Sequence, residues 1–311
     1  MRKAALEAIS NLIERDERAV FIGSDLGAGT MEEIRHRFPD RVLIEGIAEQ
    51  HLIGFAAGLA LEGFVPYVHT IATFLTRRAL EQIVVDVAIQ GLSVKLIGAG
   101  GGMVYAPLGP THQAIDDFAL MSSIPEMVIV APADPNETRA AIEVLHGDGR
   151  PSYVRLGKGG EPNILDDLAP LEIGRSRTMV RGSRLAVITT GVMLHECLNA
   201  VTALGSDGLS PSLTHFPFVK PLDKEAVRQL ASSHNYLVVV EEHIPNGGLA
   251  SAIADVLIDE GLRTNFRRIT LPANYSENYG TQRDHWAMHS MDARGLESKF
   301  REVLALTYAD S

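Results

Sequence analysis

Three short stretches hold residues whose types and spacing can do chemistry. In "IEGIAEQHLIGFAAGLALEG", residues 44–63, Glu49 stands where strand-like apolar spacing turns helix-like. Leu43 and Ile44 read as a strand end, Gly46 permits a tight turn, and Leu52, Phe55 and Leu59 recur on one helical face. A carboxylate at that point sits near a helix amino terminus, where it either favours the helix dipole, worth about 0.3–1 kcal/mol, or serves as a working acid. His112, in "GPTHQ", belongs to the residue type that moves protons near neutral pH, although a lone histidine is more often structural. Glu241, Glu242 and His243 follow a β-branched run and look like a catalytic cluster. The single Cys197 cannot form an internal disulfide, and no Cys/His cluster has zinc-site spacing.

The elements that must position these groups alternate along the chain. Runs such as "RAVFIGSDL", "RVLIEG", "SVKLIGA", "MVIVAPAD" and "PSYVRL" alternate with amphipathic segments of helical length, the pattern of parallel α/β layers. A second series holds "RLAVITTG", "VMLHECLNAVTAL", "SPSLTHFPFVKPL", "YLVVVEEH" and "NGGLASAIADVLIDEG". Between them, "GKGGEPNILDDLAPLEIGRSRTMVRGS" is rich in Gly, Pro and charge, which predicts a link with a boundary near residue 175. The expected fold is therefore two successive α/β domains, 1–175 and 176–311, consistent with a length of 311 residues. Apolar residues make up 46% and charged residues 22%, and no apolar run is long enough to span a membrane. The charged amphipathic start, "MRKAALEAISNLIERDER", has no secretory core, so a cytoplasmic location is expected. A net charge of −11 argues against a nucleic-acid partner, which requires clustered Lys and Arg.

In this order, "GIAEQHLIGFAAGLALEG", "ATFLTRR", "GPTHQAIDDFALMSSIP" and "VIVAPADPNE" resemble the pyrimidine-binding domain of the thiamine diphosphate-dependent transketolase family, the 1-deoxyxylulose-5-phosphate synthases included. "VVVEEH" and "NGGLASAIADVL" resemble that family's C-terminal domain, so the likeness covers nearly the whole chain and implies a structural or interfacial role for Glu241, Glu242 and His243. Each motif alone is weak, and four in sequence are strong. The resemblance implies that Glu49 shares a proton with the pyrimidine ring nitrogen, favouring the imino form able to deprotonate the thiazolium carbon. It implies that Phe74 stacks on the aminopyrimidine, where the plain reading is a core phenylalanine, and that His112 reaches substrate hydroxyls. Asp25, in "GSDLGAG", matches an acidic position near the cofactor, and His69, in "YVHTIATF", is a further substrate-contacting candidate. Arg77 joins the cofactor-binding candidates and either orients a substrate anion or holds a surface acid pair, and Lys158, in "VRLGKGG", aligns roughly with a phosphate-binding basic residue.

Departures from the family pattern narrow the substrate. Leu108 replaces an Asp that reads a sugar hydroxyl, Gly100 replaces a phosphate-clamp histidine, and Ile71 replaces an aromatic residue. "GAGGGMVYAPLG" then predicts a flexible loop along a differently shaped acceptor channel. The family holds Mg²⁺ through Gly-Asp-Gly and a later Asn. The "GDG" at Gly147 to Gly149 is a decoy in a turn setting, with no Asn between Asn163 and Asn199. Diphosphate and Mg²⁺ ligands are therefore expected on an N-terminal transketolase-like partner, with self-association through the C-terminal domain in an α2β2 assembly. The expected activity is transfer of a two-carbon ketol or related acyl-anion unit from a ketose to an aldehyde-type acceptor. The alternatives are the beta subunit of a 2-oxo-acid dehydrogenase and a non-catalytic scaffold for such a partner.

Overall fold

Buried β-branched runs and amphipathic helices assemble into two parallel-type sheets, each covered on both faces, in a computed structural model that describes residues 1–26, 28–165 and 171–309. Part of the expected link, 166–170, lies outside the described residues. The strands are β1 (Ala19–Gly23), β2 (Val42–Ile44), β3 (Val65–Ile71), β4 (Lys95–Ala99), β5 (Val128–Val130), β6 (Ser152–Leu156), β7 (Arg177–Val180), β8 (Arg184–Thr189), β9 (Ser212–His215), β10 (Phe218–Lys220), β11 (His234–Val240) and β12 (Asn265–Ile269). The first sheet has the order β10-β5-β6-β4-β3-β1-β2, and the second β12-β11-β8-β9-β7.

In the first domain, helices Arg2–Arg15 and Pro135–His146 cover one face through Leu6, Ile9, Ile142 and Leu145. The other face packs on helix Glu49–Leu61 and the segment around Leu75, Ile83 and Val87. Such two-sided burial explains why the strands read as continuous apolar runs rather than alternating ones. The second domain repeats the layering, with helices Met193–Ser206 and Ala293–Ala309 on one face and Lys224–Ser233 and Leu249–Asp259 on the other. Packing changes allegiance across the link: Leu171 and Ile173 enter the first core, Met179 and Val180 the second.

One expectation about the second series is corrected. The stretch "SPSLTHFPFVKPL" is shared between the domains: β9 stays in the second sheet, while β10 returns to pair antiparallel with β5, Phe218 opposite Val130. Alternation along β10 explains the return, because Phe218 fills one face of the first core and Val219 the other. Among the described residues, no helix is long and apolar enough to cross a membrane.

Candidate active site

Glu49 is the first residue of helix Glu49–Leu61, reached from β2 by a turn in which Gly46 adopts φ +80°, a conformation that disfavours any side chain. The carboxylate is 1% exposed. Its Oε1 accepts from Thr70 Oγ1 at 3.2 Å, and its Oε2 accepts from Arg78 Nη1 at 2.5 Å. The Arg78 guanidinium also lies 4.4 Å from the centre of the Phe74 ring, whose other neighbour is the His112 ring, edge-on at 4.9 Å. Glu49, Phe74 and His112 thus converge, joined by Arg78, which the sequence reading passed over. His112 Nδ1 is 3.0 Å from Thr111 Oγ1, and Leu108, 56% exposed, sits one short turn before it.

Arg78 rather than Arg77 reaches Glu49. It ends the π-helical turn Phe74–Arg78, and side chains four apart share a helix face, which sets it beside Phe74. Of the two readings open for Arg77, the structure shows the acid pair: Nε and Nη2 grip Asp116 at 3.0 and 2.7 Å, and Nη2 also donates to the Gln113 carbonyl at 3.0 Å. Arg77 therefore holds the segment that follows His112.

The other candidates are spread out. His69 lies two residues from Tyr67 on β3 and shares its face, opposite the Thr70 side that meets Glu49. Its Nδ1 pairs with the Ile97 carbonyl at 3.0 Å, and burial lowers its pKa to about 4, so the ring is neutral. His69 does not join the Glu49 cluster. Asp25 is exposed just past the carboxyl end of β1, and Lys158 is exposed just past β6. Both lie at the strand ends where open α/β sheets bind ligands. Lys158 faces a cleft of about 360 Å³ that also takes in His195, Gln282 and Arg283 of the second domain.

The "GAGGGMVYAPLG" loop differs from the flexible channel wall expected of it. Gly100 and Gly101 both donate to the Leu156 carbonyl at 2.9 Å, and Gly102 forms a bridge with Ala114. A Cβ at Gly102 would stand 2.1 Å from Glu242 Oε2, so only glycine lets that carboxylate reach the Met103 amide at 3.1 Å. Glu242 also accepts from Trp286 Nε1 at 2.7 Å and from Gln282, and burial raises its pKa. Neighbouring Glu241, pushed up to about 7 by burial, accepts from the Leu249 and Ala250 amides at the start of helix Leu249–Asp259. His243 stacks on Phe118 at 5.3 Å and is pushed down to about 3 by burial. All three groups serve helix capping and the domain junction. In the Gly147–Gly149 turn, the Asp148 carboxylate is held by Arg150 at 2.7 Å, which lowers its pKa.

Comparison with known proteins agrees with this architecture. Residues 1–161 match the model of the transketolase pyrimidine-binding domain, and residues 174–292 that of the transketolase C-terminal domain. The chain is 36% identical over 299 residues to 1-deoxy-D-xylulose-5-phosphate synthase of Syntrophotalea carbinolica, covering 95% of this chain and 47% of that protein. The corresponding synthase of Dehalococcoides mccartyi is 35% identical over 298 residues, covering 94% of this chain and 46% of that protein. The chain thus spans about half the length of these relatives. A split-gene transketolase, solved as an inactive β4 tetramer, superposes with TM-score 0.89 at 29% identity, covering 98% of both chains. The transketolase of Campylobacter jejuni shares the fold at TM-score 0.77 and 16% identity, covering 97% of this chain and 46% of that one. With two family domains in order on the fold those domains require, the chain belongs to the transketolase family.

Proposed function

We propose that this chain is the smaller subunit of a split thiamine diphosphate-dependent transketolase-like enzyme that transfers a two-carbon ketol or related acyl-anion unit to an aldehyde-type acceptor. One observation carries the reading: a carboxylate buried to 1% exposure pairs with Arg78, whose guanidinium lies 4.4 Å from the centre of the Phe74 ring, and that ring meets His112 edge-on at 4.9 Å. The group fits. Thr70 and Arg78 engage one oxygen each of the Glu49 carboxyl, and each oxygen keeps a further lone-pair site through which a proton could be shared with a pyrimidine ring nitrogen. Thiamine diphosphate, when bound, supplies the stabilised carbanion that group transfer needs. Glu49 holds and shares the proton of the ring nitrogen, Phe74 provides an apolar face, and His112 exchanges protons with substrate hydroxyls. Asp25 would lie near the cofactor, and Lys158 would meet an anionic part of the substrate.

Residues 1–175 act as the pyrimidine-binding domain and 176–311 as the C-terminal domain. A partner subunit supplies the diphosphate and Mg²⁺ ligands, in a cytoplasmic α2β2 assembly that self-associates through the C-terminal domain. Support comes from the split-gene transketolase, which is described as inactive as a tetramer of one chain type and matches this chain end to end. Calorimetry tests the reading. The chain alone is expected to bind thiamine diphosphate weakly, and a partner with an intact Gly-Asp-Gly and Asn pair is expected to restore Mg²⁺-dependent binding and activity. Tight Mg²⁺-dependent binding by the single chain would overturn it. In the assembled enzyme, Glu49→Gln is expected to slow hydrogen–deuterium exchange at the thiazolium carbon while leaving the fold intact, and unchanged exchange would remove Glu49 from its role.

A further inference from the structure

The loop that carries His112 is closed at its base. Gly102 and Ala114 exchange both backbone hydrogen bonds, at 2.9 and 3.0 Å, so residues 103–113 leave and re-enter the fold at one point. Two arginines grip the chain where it re-enters. Arg77 takes the Gln113 carbonyl and the Asp116 carboxylate. Arg155 takes the next residue of each kind, donating from Nη2 to the Ala114 carbonyl at 2.9 Å and pairing Nε with Asp117 Oδ2 at 2.9 Å.

Arg155 stands in the buried strand β6 and is only 8% exposed, a placement that is costly for a cation unless its donors are used. Tyr153, two residues earlier on the same face of the strand, donates its hydroxyl to the same Asp117 oxygen at 2.7 Å. The Phe118 ring lies 4.3 Å from the guanidinium. Arg155 Nη2 also donates to the Glu242 carbonyl at 2.8 Å, and the Glu242 carboxylate accepts from the Met103 amide at the other end of the loop. Glu242 thus holds one end of the loop directly and the other through Arg155. Gly101 leaves the guanidinium its room, since a Cβ there would stand 2.3 Å from Arg155 Nε.

We propose that Arg155 is a positioning residue for His112: it locks the base of the loop that carries the imidazole and ties that base to the second domain. The proposal rests on the reading of His112 as the group that exchanges protons with substrate, and it extends that reading, because the second domain then sets where the imidazole stands. Arginine is required for the task. Its rigid fork reaches two carbonyls and a carboxylate at once, whereas lysine offers a single nitrogen on a flexible stem.

The test reads the place of His112 directly, by NMR of the full chain with ring-labelled histidine and phenylalanine, the signals being assigned through His112→Gln and Phe74→Leu. Wild type is expected to show a cross-peak between the two rings, whose centres are 4.9 Å apart. Arg155→Lys should lose that cross-peak and move the His112 signal towards that of a free histidine side chain. Ile253→Ala, which opens the second core away from the loop, controls for lost stability and should keep both. If Arg155→Lys fails to fold, Gly101→Ala pushes on the same guanidinium and is read in the same way. An unchanged cross-peak in the variant, or its equal loss in Ile253→Ala, overturns the proposal. Kinetics of the assembled enzyme tests the underlying reading separately: Arg155→Lys should lower kcat about tenfold or more with KM little changed. A displaced His112 ring with unaltered kcat would remove His112 from the chemistry while the positioning by Arg155 stands.

Discussion

Arg78 holds its guanidinium 2.5 Å from the Glu49 carboxylate, an ion pair in which the acid is 1% and the base 43% exposed. The pair couples a helix start to a π-helical turn across the first domain. Removing Arg78 leaves a buried carboxylate without its cation, whereas removing both charges leaves little to satisfy.

Arg78→Ala is therefore expected to lower stability by about 1–3 kcal/mol, less than for a fully buried pair because the base is partly solvated. Glu49→Gln in the same background should recover most of the loss. A double-mutant cycle by urea denaturation reads the coupling directly, and additive effects would show that the pair carries no mutual energy.

His112→Ala should reduce kcat of the assembled enzyme by about a hundredfold or more, the usual worth of a placed proton-transfer group, with thiamine diphosphate affinity little changed. Titration calorimetry beside steady-state kinetics separates the two, and parallel loss of cofactor affinity would place His112 on the cofactor instead.

Arg77 acts through the backbone it grips. Arg77→Lys retains the charge but loses the fork that spans Asp116 and the Gln113 carbonyl. The expected result is about a tenfold lower kcat, because small misplacement of a reacting group is costly, with stability nearly intact and the pH profile unchanged. A shifted pH profile would mean that Arg77 touches the titrating group directly.

Two buried imidazoles set a direction for acid sensitivity. His69 and His243 are held neutral, with pKa values lowered to about 4 and about 3 by burial. Above the unfolded value of about 6.5 neither histidine contributes a pH dependence. As pH falls below it the unfolded chain gains protons that the folded chain refuses, and stability drops by up to about 1.4 kcal/mol per pH unit for each. Thermal unfolding at pH 7 and pH 5.5 should show the loss, and His243→Asn should make it smaller. An unchanged slope in the variant would assign the acid sensitivity elsewhere.

The layered fold was legible because strands buried on both faces write themselves as apolar runs, and helices Arg2–Arg15 and Pro135–His146 carry clear periodicity. Strand β3 was harder to read, since Pro66, His69 and Thr70 interrupt its apolar pattern. Yet its central place gives His69 and Thr70 opposite faces and therefore opposite fates. At the candidate site, motif order brought out Glu49, Phe74 and His112, while Arg78 stayed hidden because its ion pair with Glu49 joins residues 29 apart in the chain. The Glu242 junction was equally silent: contacts with Met103 and Trp286 join residues far apart in the chain, and no local pattern announces them.

The return of β10 to the edge of the first sheet governs how this protein can be taken apart. A fragment ending at residue 175 would lack Phe218 and Val219, exposing the outer edge of β5 to solvent and leaving gaps in both layers beneath it. Cassette exchange with a relative at the link would tear a strand from its sheet, so grafting one domain requires carrying the 218–220 segment along with its host.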